Sequence, residues 1–233
     1  MIGGTGLVGS RAIAKLKACG HEAVVAAPST GVNTLTGEGV AAALKNASAV
    51  VDVSNSPSFD EKAVMEFFQI ICCPLERRGG KAPCRVIGGR DRTAQESHYM
   101  RAKIVQETLI KESGIPYSIV HATQFFEFVK SIADAATVGS QVHVPSVFIK
   151  PNAAQDVASA VAQVAVGAPL NAVLEVAGPE RFRFDEFIGR GLRARNGSRE
   201  VVVDPDTPYF GAKLGEVTLI ESGEARIRRD ALR

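Results

Sequence analysis

The sequence is defined first by what it withholds. Its four cysteines, Cys19, Cys72, Cys73 and Cys84, follow neither a metal-ligand spacing nor a disulfide framework. A reduced, cytoplasmic setting is the economical expectation. No apolar run reaches the roughly 18 residues that a membrane span needs, and no signal peptide opens the chain. A membrane is therefore not expected as a partner. The formal net charge of +2 is too close to neutral to suggest nucleic acid. His21, His98, His121 and His143 are scattered, and no metal site is expected among them. Internal repeats are missing, as is any linker that would divide the 233 residues into independent domains. Two local absences matter more. Only Met1 and Ile2 precede the first glycine-rich turn, and no serine occurs between Ser58 and Ser97.

What is present begins with MIGGTGLVGS. Gly4-x-Gly6-x-x-Gly9 has the dinucleotide spacing, and Gly3-x-x-Gly6-x-x-Gly9 has its close variant. Such a turn lets the backbone of Gly3, Gly4, Thr5, Gly6, Leu7, Val8 and Gly9 approach a pyrophosphate at a helix N-terminus. A flexible glycine-rich terminus is the competing reading. The order of the next elements along the chain argues against it. Arg11–Cys19 carries Ala12, Ile13 and Leu16 at helical spacing, with Gly20 as a stop. Glu22–Ala27 is then a short apolar run closed by Pro28, as a buried parallel strand should be.

The alternation continues. Val40–Lys45 predicts a short helix, Ala49–Val53 a strand, and Ser58 or Asp60 can cap a helix through Phe68. This βαβαβα order predicts a parallel sheet with helices on both sides. Ile70–Gly89 breaks the pattern: Pro74 is expected to end the helix, and only Cys84–Ile87 resembles a fourth strand. Ser97–Glu112 reads as a helix with Ala102, Val105, Leu109 and Ile110 inward, and Pro116–Ala122 as the fifth strand. Further on, a helix is expected from Thr123 to about Ala136, strands at Gln141–Val144 and Val147–Ile149, and a helix over Gln155–Val166. A strand at Val173–Val176 and a helix at Phe184–Arg193 complete the reading.

Tyr99 and Lys103 lie four apart, on one helix face. An ammonium beside a phenol of pKa about 10 favours the phenolate. The pair could protonate a carbonyl oxygen while a nicotinamide delivers hydride. The competing reading is a solvent-facing helix with Lys103 paired to Glu107. Tyr209 and Lys213 repeat the spacing, but among Pro205, Pro208 and Gly211 no stable helix would align them. At the end of the second strand, Ala26-Ala27-Pro28-Ser29-Thr30 offers no acid to hold a ribose 2′-hydroxyl. NADP is therefore expected rather than NAD, with Ser29, Thr30 and Arg11 as contacts. Ser54 and Asn55 would follow the adenosine side, although both are ordinary turn formers. Phe125 and Phe126 would wall a substrate pocket, with core packing as their alternative use.

Together, GGTGLVGS, STGVNTLTGEG, VVDVSNSPSF, the YMRAK helix and SGIPYSIVHATQFFEF resemble the NmrA-like family of atypical short-chain dehydrogenases/reductases. PNAAQDVASAV and LEVAGPE are similar to its later landmarks, so the resemblance covers most of the chain. It implies an α/β fold, a Rossmann-type doubly wound parallel sheet binding NAD(P) over residues 1–178. A substrate-side helix within 125–140 and a small C-terminal substrate-side lobe over 179–233 are implied as well. Pyrophosphate would lie on Gly3, Gly6 and Gly9, and the family's tyrosine and lysine fall on Tyr99 and Lys103. Members begin with several apolar residues before the turn, so a first strand lost upstream of Met1 is expected. Relatives also end the fourth strand in a serine that polarises the substrate carbonyl; here that donor to the developing oxyanion is missing. A local frameshift in 70–90 would give such a composition. The expected activity is NADPH-dependent reduction of a small carbonyl or quinone-like compound. The alternatives are an NAD(P) sensor that docks a regulatory partner without turnover, and a damaged copy that folds poorly. A small-molecule substrate, a homodimer or a regulatory protein are the associations implied.

Overall fold

The computed structural model of the chain describes residues 1–58, 60–76, 84–89, 97–209, 214–215 and 219. The elements begin with α1 (Leu7–Ala18), α2 (Val40–Ala43), β1 (Val50–Asp52), α3 (Glu61–Glu76) and β2 (Cys84–Gly89). Next come α4 (His98–Glu112), β3 (Tyr117–Ala122), α5 (Val129–Ala135), β4 (Thr137–Val138), β5 (Gln141–Val144) and β6 (Phe148–Ile149). The last are α6 (Ala154–Val166), β7 (Val173–Val176), β8 (Phe182–Arg183), α7 (Phe184–Arg193) and β9 (Glu200–Val203). They group into two units. One comprises the described residues of Met1–Gly89, His98–His121 and Gln155–Leu174; the other holds Ser97, Ala122–Ala154 and the described part of Glu175–Arg233.

In the first unit, which takes in β3 up to His121 and β7 up to Leu174, a sheet runs β1-β2-β3-β7, with β1 and β2 parallel and Val50 opposite Cys84. Ile2 extends it by one rung, making parallel bridges to Asp52 on one side and Ala26 on the other. Ile2 N donates to Val51 O at 2.8 Å and Val53 N to Ile2 O at 3.0 Å. On the far side Ala26 N donates to Met1 O at 2.9 Å and Gly3 N to Ala26 O at 3.0 Å. The expected strand over Glu22–Ala27 narrows to this bridge at Ala26, because its partner is a single residue. From Ile2 the chain steps first to Ala26 on one side and then to β1 on the other. In doubly wound sheets the binding crevice opens at such a reversal, beyond the carboxyl ends of the strands.

Two expectations change. The helix does not end at Pro74: α3 continues to Glu76, two residues past the proline. The fourth strand is two residues longer than Cys84–Ile87 and holds register through Asp52 opposite Val86. The irregular stretches 77–83 and 90–96 lie outside the described residues. Around the sheet, Ile2, Ala26, Val50, Val64, Phe67, Phe68, Ala102 and Ile110 form a buried core. The Asp60 carboxylate accepts from Ala63 N at 3.1 Å and so caps α3.

The second unit has its own core, in which Val129, Ile132, Val142, Val144, Ile149, Phe184, Ile188 and Tyr209 are buried. There β5 pairs antiparallel with β4 and parallel with β9, while β6 pairs antiparallel with β8. The helix expected from Thr123 begins late. Phe126 N donates to Asn152 O at 3.0 Å, which holds the entry in a 3₁₀ turn over Phe126–Phe128 before α5 starts. Among the described residues no helix is long and apolar enough to cross a membrane.

Candidate functional site

The glycine turn feeds straight into α1, four residues before the helix expected from Arg11. Gly3 has φ of +72°, and a Cβ there would stand 2.7 Å from Ser54 N. A Cβ on Gly9 would stand 2.4 Å from Gly3 O, so α1 is pressed directly against the turn. Both glycines are required by the protein's own backbone. Gly6 is different. Its backbone is extended (φ −75°, ψ 178°), and the nearest atom to an added Cβ is Gly3 O at 3.2 Å. The backbone angles at this exposed N-cap suit any residue, and a side chain would press only on that one carbonyl among the described residues.

The start of α1 has no side-chain cap and no acid in its first turn. Its opening N–H groups and the helix dipole thus favour an anion. Thr5 is exposed, and Leu7 and Val8 are partly exposed. Arg11 folds back so that its Nη1 donates to Leu7 O at 2.7 Å, which brings positive charge to the same end. Of the expected 2′-phosphate contacts, Ser29 is exposed in a 3₁₀ turn over Pro28–Thr30. Thr30 is engaged otherwise: its Oγ1 accepts from Ala27 N at 3.0 Å and lies 3.0 Å from Val25 O. Ser54 forms the wall beside Gly3, its N and Oγ donating to Asp52 Oδ1 at 2.9 and 2.6 Å. Asn55 beside it is exposed.

The face of α4 differs from expectation. Its buried residues are Ala102, Lys103, Gln106, Glu107 and Ile110, so three polar side chains point inward. Lys103 is 3% exposed; its Nζ donates to Gln106 Oε1 at 2.7 Å and sits 4.2 Å from the centre of the Phe68 ring. The solvent-facing pairing with Glu107 is therefore overturned. Glu107 instead holds His121 and Lys111, at 2.5 and 3.1 Å. Tyr99 packs edge-on against Phe68 at 5.9 Å, and burial pushes its phenol up to about 12, opposite to the expected lowering. Desolvation dominates that phenol.

Asp52 and Gln106 escaped the sequence reading, in which Glu107 figured only as a solvent-side partner of Lys103 and His121 only as a residue not expected to bind metal. The signal was there. Asp52 and His121 are titratable groups inside the apolar strand runs AVVDV and SIVHA, and each needs a polar partner on the covering helix. Ser97, just before α4, is also buried, and its hydroxyl has no hydrogen-bond partner among the described residues.

In the second unit Phe125 stacks edge-on with Phe128 at 5.4 Å, and Phe126 lies 5.8 Å from Phe187. A half-open cavity of about 480 Å³ is walled by Ile132, Val144, Phe184 and Tyr209 and also by His143 and Asp204. Neither Phe125 nor Phe126 lines it. Tyr209 accepts from Gln124 Nε2 at 2.8 Å, while Lys213 lies outside the described residues.

No protein-family model and no curated protein matches the sequence. Solved structures do. A nucleoside-diphosphate-sugar epimerase from Staphylococcus aureus aligns with a TM-score of 0.67 at 14% identity, covering 88% of this chain and 79% of that one. A dTDP-4-dehydrorhamnose reductase from Bacillus anthracis, in complex with NADP, gives 0.66 at 14% identity and covers 88% and 84%. A dTDP-glucose 4,6-dehydratase from Streptomyces venezuelae, with NAD bound, gives 0.63 at 16% identity and covers 87% and 83%. At such identities the likeness is one of fold. The chain has the Rossmann-type α/β fold of these reductases, epimerases and dehydratases.

Proposed function

We propose that this protein binds NAD(P) on the Gly3–Gly9 turn and uses NADPH to reduce a small carbonyl or quinone-like compound. The observation that carries this is the Gly3–Gly9 turn as a whole: it leads into an uncapped helix start at the sheet's reversal point, with Gly6 exposed on an extended backbone that any residue could adopt. A ligand backbone approaching from outside explains it. NADPH is favoured over NADH because no carboxylate stands between Ala26 and Gly31, where Ser29 is exposed, while Arg11 carries positive charge to the start of α1. A bound nicotinamide would supply hydride. From this chain, Tyr99 would give its phenolic proton to the substrate oxygen; a phenol held up to about 12 keeps that proton at neutral pH.

A second reading, a coenzyme sensor of the NmrA type, draws support from the same phenol. Burial makes Tyr99 a weaker acid, and the stretch between Ser58 and Ser97 offers no serine to assist it. The test is a fluorescence titration with NADPH and NADH, followed by NADPH oxidation assays with quinones and aldehydes. Binding with turnover supports the reductase, and binding without turnover moves the assignment to the sensor. Absence of binding overturns both.

A further inference from the structure

A continuous buried relay runs beneath the coenzyme turn. Asp52, at the end of β1, is 3% exposed. One carboxylate oxygen accepts from the N and Oγ of Ser54, and the other accepts from Gln106 Nε2 at 3.0 Å. Gln106 is 1% exposed, and its own oxygen accepts from Lys103 Nζ at 2.7 Å. The glutamine is thus fixed in one sense, oxygen toward the cation and nitrogen toward the anion; turned over, it would set donor against donor. The relay ends at the turn itself, since Ser54 N lies 2.7 Å from where a Cβ on Gly3 would stand.

We propose that Lys103 serves Asp52 rather than the coenzyme, supplying through Gln106 the counter-charge that lets a buried carboxylate hold the Ser54 wall beside a bound diphosphate. Asp52 and Lys103 are positioning residues in this arrangement. It rests on the coenzyme-binding reading above and adds a charge balance to it. Burial pushes the Asp52 carboxyl up, while Ser54, Lys103 and Gln106 pull it down. Stripped of its cation, the carboxyl takes up a proton, and the protonated oxygen no longer accepts from Ser54 or Gln106, so the wall beside the turn loosens. The Met1 amino group, which also feels Asp52, donates to Val24 O at 2.6 Å and is engaged on the far side of the Ile2 rung.

The test is a double-mutant cycle read as NADPH affinity, with thermal melts on every variant. Lys103→Met should weaken binding at least about tenfold, because the protonated Asp52 no longer holds the Ser54 wall. Adding Asp52→Asn removes the charge but keeps an acceptor for Ser54, so the double variant should return to within about threefold of wild type. Gln106→Met breaks the relay from a position too buried to touch the ligand, and should reproduce the Lys103→Met loss even if that variant folds poorly. If Lys103 touches the coenzyme directly, the double variant stays as weak as Lys103→Met, Gln106→Met binds normally, and the relay is overturned. A wild-type protein that binds no coenzyme would instead remove the functional reading on which the relay depends.

Discussion

His121 Nε2 lies 2.5 Å from Glu107 Oε1, a buried pair that joins β3 to α4. Burial alone would push the Glu107 carboxyl up, but the bonds from His121 and Lys111 outweigh it and hold the group below its ordinary range. A carboxyl depressed in the folded state stabilises fully above its unfolded pKa and loses that contribution as pH falls through the folded value. Denaturant midpoints of the wild type should therefore drop on acidification below about pH 4. Glu107→Gln should start about 2 kcal/mol less stable at pH 7 and show a shallower acid limb. Parallel limbs for the two proteins would remove this pair from the acid response.

The glycines of the turn should separate by function. Gly9→Ala drives a methyl onto Gly3 O and Gly4 Cα, at 2.4 and 2.9 Å, and should lower stability by about 2–3 kcal/mol while abolishing coenzyme affinity. Gly6→Ala meets only Gly3 O at 3.2 Å, on an extended backbone open to any residue. It should melt within a few degrees of wild type yet bind NADPH at least about tenfold more weakly. Parallel melts and titrations check both, and normal binding by Gly6→Ala would contradict a ligand lying against that position.

Tyr99→Phe removes the candidate proton and leaves the ring on Phe68. A reductase should lose about a hundredfold or more in kcat with NADPH affinity unchanged. Because the phenol is held up to about 12, kcat of the wild type should show no tyrosine limb on the alkaline side up to about pH 10. Steady-state rates from pH 6 to about 10 decide it.

In the second unit, Asn152 is buried and its amide donates to Thr123 Oγ1 at 2.7 Å and to Val176 O at 3.0 Å. Asn152→Leu removes one partner each from the Val176 carbonyl and the Thr123 hydroxyl, which keep their bonds to Thr123 N and Lys150 O, and should cost about 1–2 kcal/mol. Urea denaturation measures it; a loss below about 0.5 kcal/mol would show that other donors replace the amide.

The elements legible in the sequence were those with strong periodicity and clear stops. The strands Gln141–Val144 and Val173–Val176 and the helix Phe184–Arg193 have the bounds read from sequence. The two-residue strands β4 and β8, and also β9, went unread because such strands exist only through their tertiary partners. Around the site, the glycine turn was legible because backbone geometry restricts its residues. The inward face of α4 was not. Helical periodicity seeks apolar residues, and Lys103, Gln106 and Glu107 are buried only because Asp52 and His121 need them. The direction of the Tyr99 shift failed for the same reason: spacing reports a neighbouring charge but not the loss of solvent around the phenol.

The single rung at Ile2 gives the sheet a seam. Ala26 is joined to β1 through one residue, and the next residue opens the glycine turn. Fraying of that seam and loosening of the turn are thus one event, and a molecule fastened to the turn stitches both. Coenzyme should accordingly raise the melting temperature in proportion to the logarithm of its concentration, and slow amide exchange at Ile2 and Val53 ahead of the rest of the sheet.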